Sequence, residues 1–235
     1  MNSRQRKKNA IFDKFSQNLK HVITRRGLKN ILPDNFPSEA YICPLSLKWY
    51  DRQGLRDIYL DQLTLEHSPP KALGGNVMAL TAKDINSQSG HSLDIGLQRY
   101  IANKEFNEGT SPLKTKVKVN NSISMDISFV KNDPLEVTFS TKTFHQGAQH
   151  FVELMKNQGK VDIKFNIPNS KQIDISLLRI AYLMTFNTFG YALIFNNRGL
   201  NPHYHLVRDQ LINPERKILP RVIAFQDEFA DDLLG

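Results

Sequence analysis

Leu63-Thr-Leu-Glu-His-Ser-Pro-Pro-Lys-Ala-Leu-Gly-Gly75, continuing through Asn76 to Leu80-Thr-Ala-Lys-Asp-Ile-Asn86 and Gly90-His91, decides how this chain reads. Leu60 to Glu66 alternates in part and predicts a short strand, and Val77 to Thr81 predicts a second. Pro69-Pro70 and Gly74-Gly75 break the chain between them into a stiff loop, because proline fixes φ and glycine admits tight turns. From about Asn86, Leu93, Leu97, Tyr100 and Ile101 share one helical face, which predicts a helix to about Lys104. The order is therefore strand, loop, strand, helix. An acid–histidine pair stands on the first strand, and an amide stands where the helix is expected to begin.

These residue types suit one kind of chemistry. Phosphodiester hydrolysis needs an activated water, a cation at the phosphate oxygens and fixed geometry. The imidazole of His67 titrates near neutral pH and suits a general base. Glu66 is its neighbour on a strand, so the two side chains point to opposite faces and do not neutralise each other. The carboxylate of Glu66 and the amide oxygen of Asn86 are hard donors of the kind Mg²⁺ or Mn²⁺ prefers. Lys71 sits in the loop, where a phosphate would approach. Plainer roles stand beside these: Asn86 is a favoured helix N-cap, Lys71 a solvated cation, and Asp94 a surface acid.

Over roughly residues 40–105 the pattern resembles the HNH (ββα-metal) endonuclease family, and Glu-His-Ser-Pro-Pro-Lys-Ala-Leu-Gly-Gly is its most specific part. The resemblance implies Glu66 and Asn86 as metal ligands and His67 as general base. It implies Asn76 as the amide that ties the loop, and His91 as a further ligand or phosphate contact. It further implies metal-dependent cleavage of DNA, with RNA as the other substrate to be tested, leaving 5′-phosphate and 3′-hydroxyl ends. Bacterial restriction or anti-phage defence is the family's usual setting. Many members bind a structural zinc through two Cys-x-x-Cys pairs. The matching places here hold Cys43/Ser46 and Ala82/Ile85, so no structural zinc is expected. Packing of Trp49, Tyr50, Leu80 and Ile85 is expected to hold the finger in its place. That departure keeps a second expectation open: a non-catalytic nucleic-acid-binding or partner-docking subunit with a relict finger.

The whole chain sets the frame. Its 235 residues are 40% hydrophobic and 23% charged, which is the balance of a globular protein. No apolar run suits a membrane span, and no signal-peptide core follows Met-Asn-Ser-Arg-Gln-Arg-Lys-Lys. The single Cys43 excludes an internal disulfide, and a cytoplasmic protein is expected. The net charge of +8 falls within residues 1–30, where nine Lys/Arg face Asp13 alone; the remainder balances. A basic segment on a neutral body predicts a polyanion partner.

Ile11, Phe12, Phe15, Leu19, Val22 and Ile23 predict an amphipathic helix over about 9–25. From Lys114 the period becomes two, through Val117, Val119, Ile123, Met125, Ile127, Phe129, Val137 and Phe139. With turns at Asn120-Asn121 and Asn132-Asp133-Pro134, three antiparallel strands are predicted. A helix around Ala148 to Met155 and a strand over Val161 to Ile167 come next. An apolar helix over 174–189 ends at Gly190, with a strand over Tyr191 to Phe195 beyond it. His203/His205 is too sparse to hold a metal, and the acidic end around Asp227 to Asp232 is read as a solvated tail. The expected architecture is α+β: a basic helical arm (1–38), an HNH-like domain (39–110) and an antiparallel sheet with helices (111–235). The last is expected to take a companion protein or a second copy of the chain.

Overall fold

The computed structural model describes residues 2–33, 36–56, 62–89, 93–119, 123–140, 149, 153, 156, 170–216 and 218–219. The elements are α1 (Ser3–Arg26), the hairpin β1 (Tyr41–Ile42) and β2 (Trp49–Tyr50), the hairpin β3 (Leu63–Ser68) and β4 (Asn76–Ala82), and α2 (Lys83–Ser89). Then come α3 (Ile95–Asn107) and the strands β5 (Leu113–Val119), β6 (Ile123–Val130) and β7 (Glu136–Ser140). The chain continues with α4 (Ser170–Phe189), α5 (Tyr191–Ile194), the short pair β8 (Phe195–Asn196) and β9 (Gly199–Leu200), and α6 (Pro202–Ile212). This is a mixed α+β architecture with small antiparallel sheets. Among the described residues no helix is long and apolar enough to cross a membrane.

The chain forms two compact units, one of Met1–Asp94 with Asp174–Gly235 and one of Ile95–Ile173. The first is organised on α1. Asn2 caps the helix, accepting the Gln5 N–H at 2.8 Å, and Gly27 at φ 66° ends it. Phe12, Phe15, Leu19, Val22 and Ile23 are all buried on its inner face. Phe15 stacks on Phe186 of α4 at 4.5 Å and meets Tyr41 and Tyr191 edge-on. Arg52 ties the outer side of the helix to the β2 region, bonding Asp13 and Glu39 while lying over the Phe12 ring. The expected basic arm is thus corrected. The segment is the central core helix of its unit, because its apolar stripe is continuous and fully covered.

Two buried tyrosines join the layers. The Tyr191 hydroxyl donates to the Ile42 carbonyl at 2.7 Å and accepts the Ile42 N–H at 2.8 Å. The Tyr41 hydroxyl does the same at Leu80, at 2.7 and 3.0 Å. Burial raises the pKa of both phenols, so both stay protonated. Of the residues expected to hold the finger, Tyr50 and Leu80 are in the core and Ile85 packs against it. Trp49 stays 41% exposed, with its ring against Phe36.

In the second unit, β5, β6 and β7 form an antiparallel sheet in that order. Lys114, Ser128 and Thr138 pair across one row, and Lys116, Asp126 and Ser140 across the next. Ile127 and Phe129 are buried, while Lys114, Lys116 and Asp126 are exposed, which is the alternation read from the sequence. Gly96 and Leu97 are the buried residues of α3, a helix that also packs on β5.

Four expectations change. The domain boundary near 110 falls at Asp94/Ile95, because α3 packs on the sheet that follows it. Asp174 onward rejoins the first unit, because Ile175, Tyr182, Leu183 and Phe186 are buried in its core. The helix predicted to begin at about Asn86 begins at Lys83, so Asn86 lies inside α2 and not at its cap. Tyr191 begins a helical turn and not a strand, since Gly190 at φ 60° redirects the chain there. The Asn120-Asn121 turn, the Ala148 to Met155 and Val161 to Ile167 elements and the acidic end lie outside the described residues.

Gly190 has a second constraint. Asn18 Oδ1 accepts the Tyr191 N–H at 2.8 Å, and a Cβ at Gly190 would stand 2.3 Å from that oxygen. Gly190→Ala adds left-handed strain to the loss of this cap and is expected to cost about 2–3 kcal/mol. Gly27→Ala, at a similar φ but with open space around the Cβ, is expected to cost about 1–2 kcal/mol. Urea unfolding of the two variants checks the order.

Candidate functional site

The β3–β4 hairpin carries the acid–histidine pair. Glu66 pairs with Ala79 and His67 with Val77, leaving Met78 as a bulge on β4. The connecting loop is closed by its backbone: Leu73 N–H to Pro70 O at 2.8 Å, Gly74 N–H to Lys71 O at 3.0 Å, and Gly75 N–H to Pro70 O at 3.2 Å. A Cβ at Gly75 would lie 1.5 Å from the Pro69 carbonyl oxygen, so only glycine fits there. Asn76 does not tie this loop. It is exposed, and its side chain bonds no described residue, because the backbone turn already closes the gap.

Glu66 points toward α4 and is 7% exposed. Its Oε1 accepts from both Nε and Nη2 of Arg179, at 3.2 and 2.9 Å, and Arg179 is itself 5% exposed. Its Oε2 accepts from the Thr81 hydroxyl at 3.2 Å. Two residues along the same face, Thr64 Oγ1 donates to the Thr81 carbonyl at 3.2 Å and accepts Nδ2 of Asn86 at 2.8 Å. The Asn86 amide oxygen takes no hydrogen bond from a described residue, so it is the free donor atom of the cluster. Ser68 completes the face by donating to the Ile180 carbonyl at 3.3 Å. Burial raises the Asp94 carboxyl above its ordinary value, the Glu66 charge adds to this, and Arg179 opposes it. Asp94 therefore senses the same cluster.

His67 lies on the other face and is partly buried. Burial lowers the imidazole below its ordinary value near 6.5; Glu66 pulls it back up, and Lys71 and Lys7 push it further down. Lys7 and Lys71 are exposed beside it. The result is a neutral imidazole at pH 7 in a cationic corner, fit to accept a proton and to meet an anion.

The predicted residues thus separate into two groups. Glu66 and Asn86 share one polar face of the hairpin with Thr64 and Thr81, while His67 and Lys71 share the other. His91 lies outside the described residues. Among the described residues no three of His, Cys, Asp and Glu gather to form a metal cage. Sequence reasoning missed Arg179, Thr81 and Lys7. A signal for Arg179 was present: a lone cation inside Leu177-Leu178-Arg179-Ile180, where a buried charge demands a partner.

Cys43, in the turn of the first hairpin, is fully buried. Its Sγ accepts the Ser46 N–H at 3.4 Å and the Ala82 N–H at 3.3 Å. It therefore spans the two chain segments that, by the resemblance, stand where zinc-binding pairs occur. Compared with known proteins, the chain matches no family model, no curated protein and no solved structure.

The lowered pKa of His67 makes stability depend on pH. The unfolded chain binds a proton more readily than the native imidazole does, so this contribution is present above about 6.5 and is lost as pH falls through the native value. His67→Gln is expected to flatten the loss of stability between pH 7 and 5 in urea titrations. An unchanged pH profile would remove this role of burial.

Proposed function

We propose that the chain is a metal-dependent phosphodiesterase of the HNH type, acting on DNA. The observation that carries this reading is the hairpin itself. It presents an imidazole at His67 that burial and two lysines hold below its ordinary pKa, with the hard oxygen donors Glu66 and Asn86 on the opposite face. His67 takes the proton from the attacking water, which depends on an imidazole that is unprotonated at pH 7. Lys71 and Lys7 hold the phosphate against that histidine by charge. The outer face of α1, with exposed Arg4, Arg6, Lys14, Lys20 and Arg25, attracts the remainder of the backbone. The donor types at Glu66 and Asn86 fit Mg²⁺ or Mn²⁺, and such an ion would supply positive charge at the departing 3′ oxygen.

Supercoiled plasmid incubated with a panel of divalent cations tests this. Cleavage in Mg²⁺ or Mn²⁺ is expected, falling at least about 100-fold in His67→Ala, the scale of a lost general base. DNA affinity and folding should hardly change. Cutting that survives the substitution would remove His67 from the mechanism.

A second reading is favoured by one observation: Glu66 is buried and already neutralised by Arg179. On that reading the finger is a relict fastening in a nucleic-acid-binding subunit. It predicts steeply salt-dependent binding and no cleavage under any cation.

The family resemblance has its own test, independent of activity. Ser46→Cys, Ala82→Cys and Ile85→Cys in one chain join Cys43 in a four-thiol set. The triple variant is expected to bind one Zn²⁺ per chain and to unfold at higher temperature with zinc than without. A folded variant that ignores zinc would break the correspondence with the family's paired cysteines.

A further inference from the structure

We infer that Arg179 is a built-in competitor for the divalent cation at Glu66, so that metal loading requires this α4 side chain to release the carboxylate. The inference rests on the reading of Glu66 as a metal ligand and adds the control of that site. Two guanidinium nitrogens converge on Oε1 at 2.9 and 3.2 Å, and Thr81 occupies Oε2. A cation bound to either oxygen would stand beside a buried guanidinium, in surroundings that weaken Coulomb repulsion far less than water does. Arginine cannot relieve that repulsion by losing its proton.

Glu66 is part of a polar cluster that retains oxygen donors after Arg179 leaves: Thr81 hydroxyl, Thr64 hydroxyl and the open Asn86 amide oxygen. Asp94 lies within electrostatic reach of both Glu66 and Arg179. Arg179 also keeps Glu66 from being a buried, unpaired charge before any ion is bound. Its two effects have one origin: the same bonds that stabilise the free hairpin weaken the binding of metal, as linkage requires.

Mn²⁺ binding to the full chain, measured by calorimetry and by electron spin resonance, tests this for wild type, Arg179→Met and Arg179→Lys, each also combined with Glu66→Gln. Arg179→Met is expected to bind Mn²⁺ on the order of 100-fold tighter than wild type, the scale of removing one like charge at close range. It should unfold at lower temperature in chelator and regain stability as Mn²⁺ rises, through preferential binding to the native state. Arg179→Lys keeps the charge and loses the two-nitrogen grip. It is the variant that stays folded, and a smaller gain in affinity is expected of it. Glu66→Gln should abolish the gain in both backgrounds. Wild type that binds Mn²⁺ through Glu66, beside folded Arg179 variants that bind no tighter, would overturn the competition and leave the metal site standing. No Glu66-dependent Mn²⁺ binding in any of these proteins would overturn the competition and the phosphodiesterase reading together.

Discussion

Two phenol hydroxyls hold the first unit in register. Tyr191 brackets both polar atoms of Ile42, and Tyr41 brackets both of Leu80. The first joins α5 to β1, and the second joins β1 to β4. Each hydroxyl is buried and would be costly without partners, and each of the four bonds contributes on the order of 1 kcal/mol net. Their larger effect is positional. They fix the hairpin against an aromatic layer of Phe15, Phe186 and Tyr191, whose rings pack in stacked and edge-on pairs. Cys43, accepting the Ala82 N–H, fastens the far end of β4 to the same first hairpin.

With the hairpin fixed, its two faces acquire different chemistry. One turns Glu66, Ser68 and Thr64 toward α4 and α2, where each of the three finds a specific partner. The other turns His67 toward the exposed lysines of α1 and the loop. The adjoining acid and base therefore sit in unlike surroundings. The acid is buried against an opposite charge, and the base is partly buried among like charges. Strand alternation alone separates the side chains; burial and the lysines set the protonation state of the imidazole.

Much of the local structure was legible in the sequence. The stripe Phe12, Phe15, Leu19, Val22 and Ile23 gave α1, and the alternation through Ile127 and Phe129 gave the three-stranded sheet. Glu66 and His67 do lie on a strand before a proline–glycine loop. The parts that escaped are those set by distant segments. Arg179 is 113 positions from Glu66, and nothing near either residue specifies the other. The fate of α1 was misread for a related reason. Its basic residues suggested an arm, yet charge on one face says little about what covers the opposite face. The split of the first unit was equally hidden, because periodicity marks elements and not which elements share a core.

That split carries a consequence for biosynthesis. The first 94 residues cannot close their core until the chain from Asp174 has emerged, and about 80 residues of the second unit are made in between. At a ribosome's pace of roughly 5–20 residues per second, the second unit alone takes about 4–16 s to make, and Phe12, Phe15 and Tyr41 wait longer than that for Phe186 and Tyr191. Through that interval the nascent hairpin has neither its aromatic lid nor the guanidinium that neutralises Glu66. Chaperone contact during translation is therefore to be looked for on the amino-terminal third of the chain, before the carboxyl-terminal helices arrive.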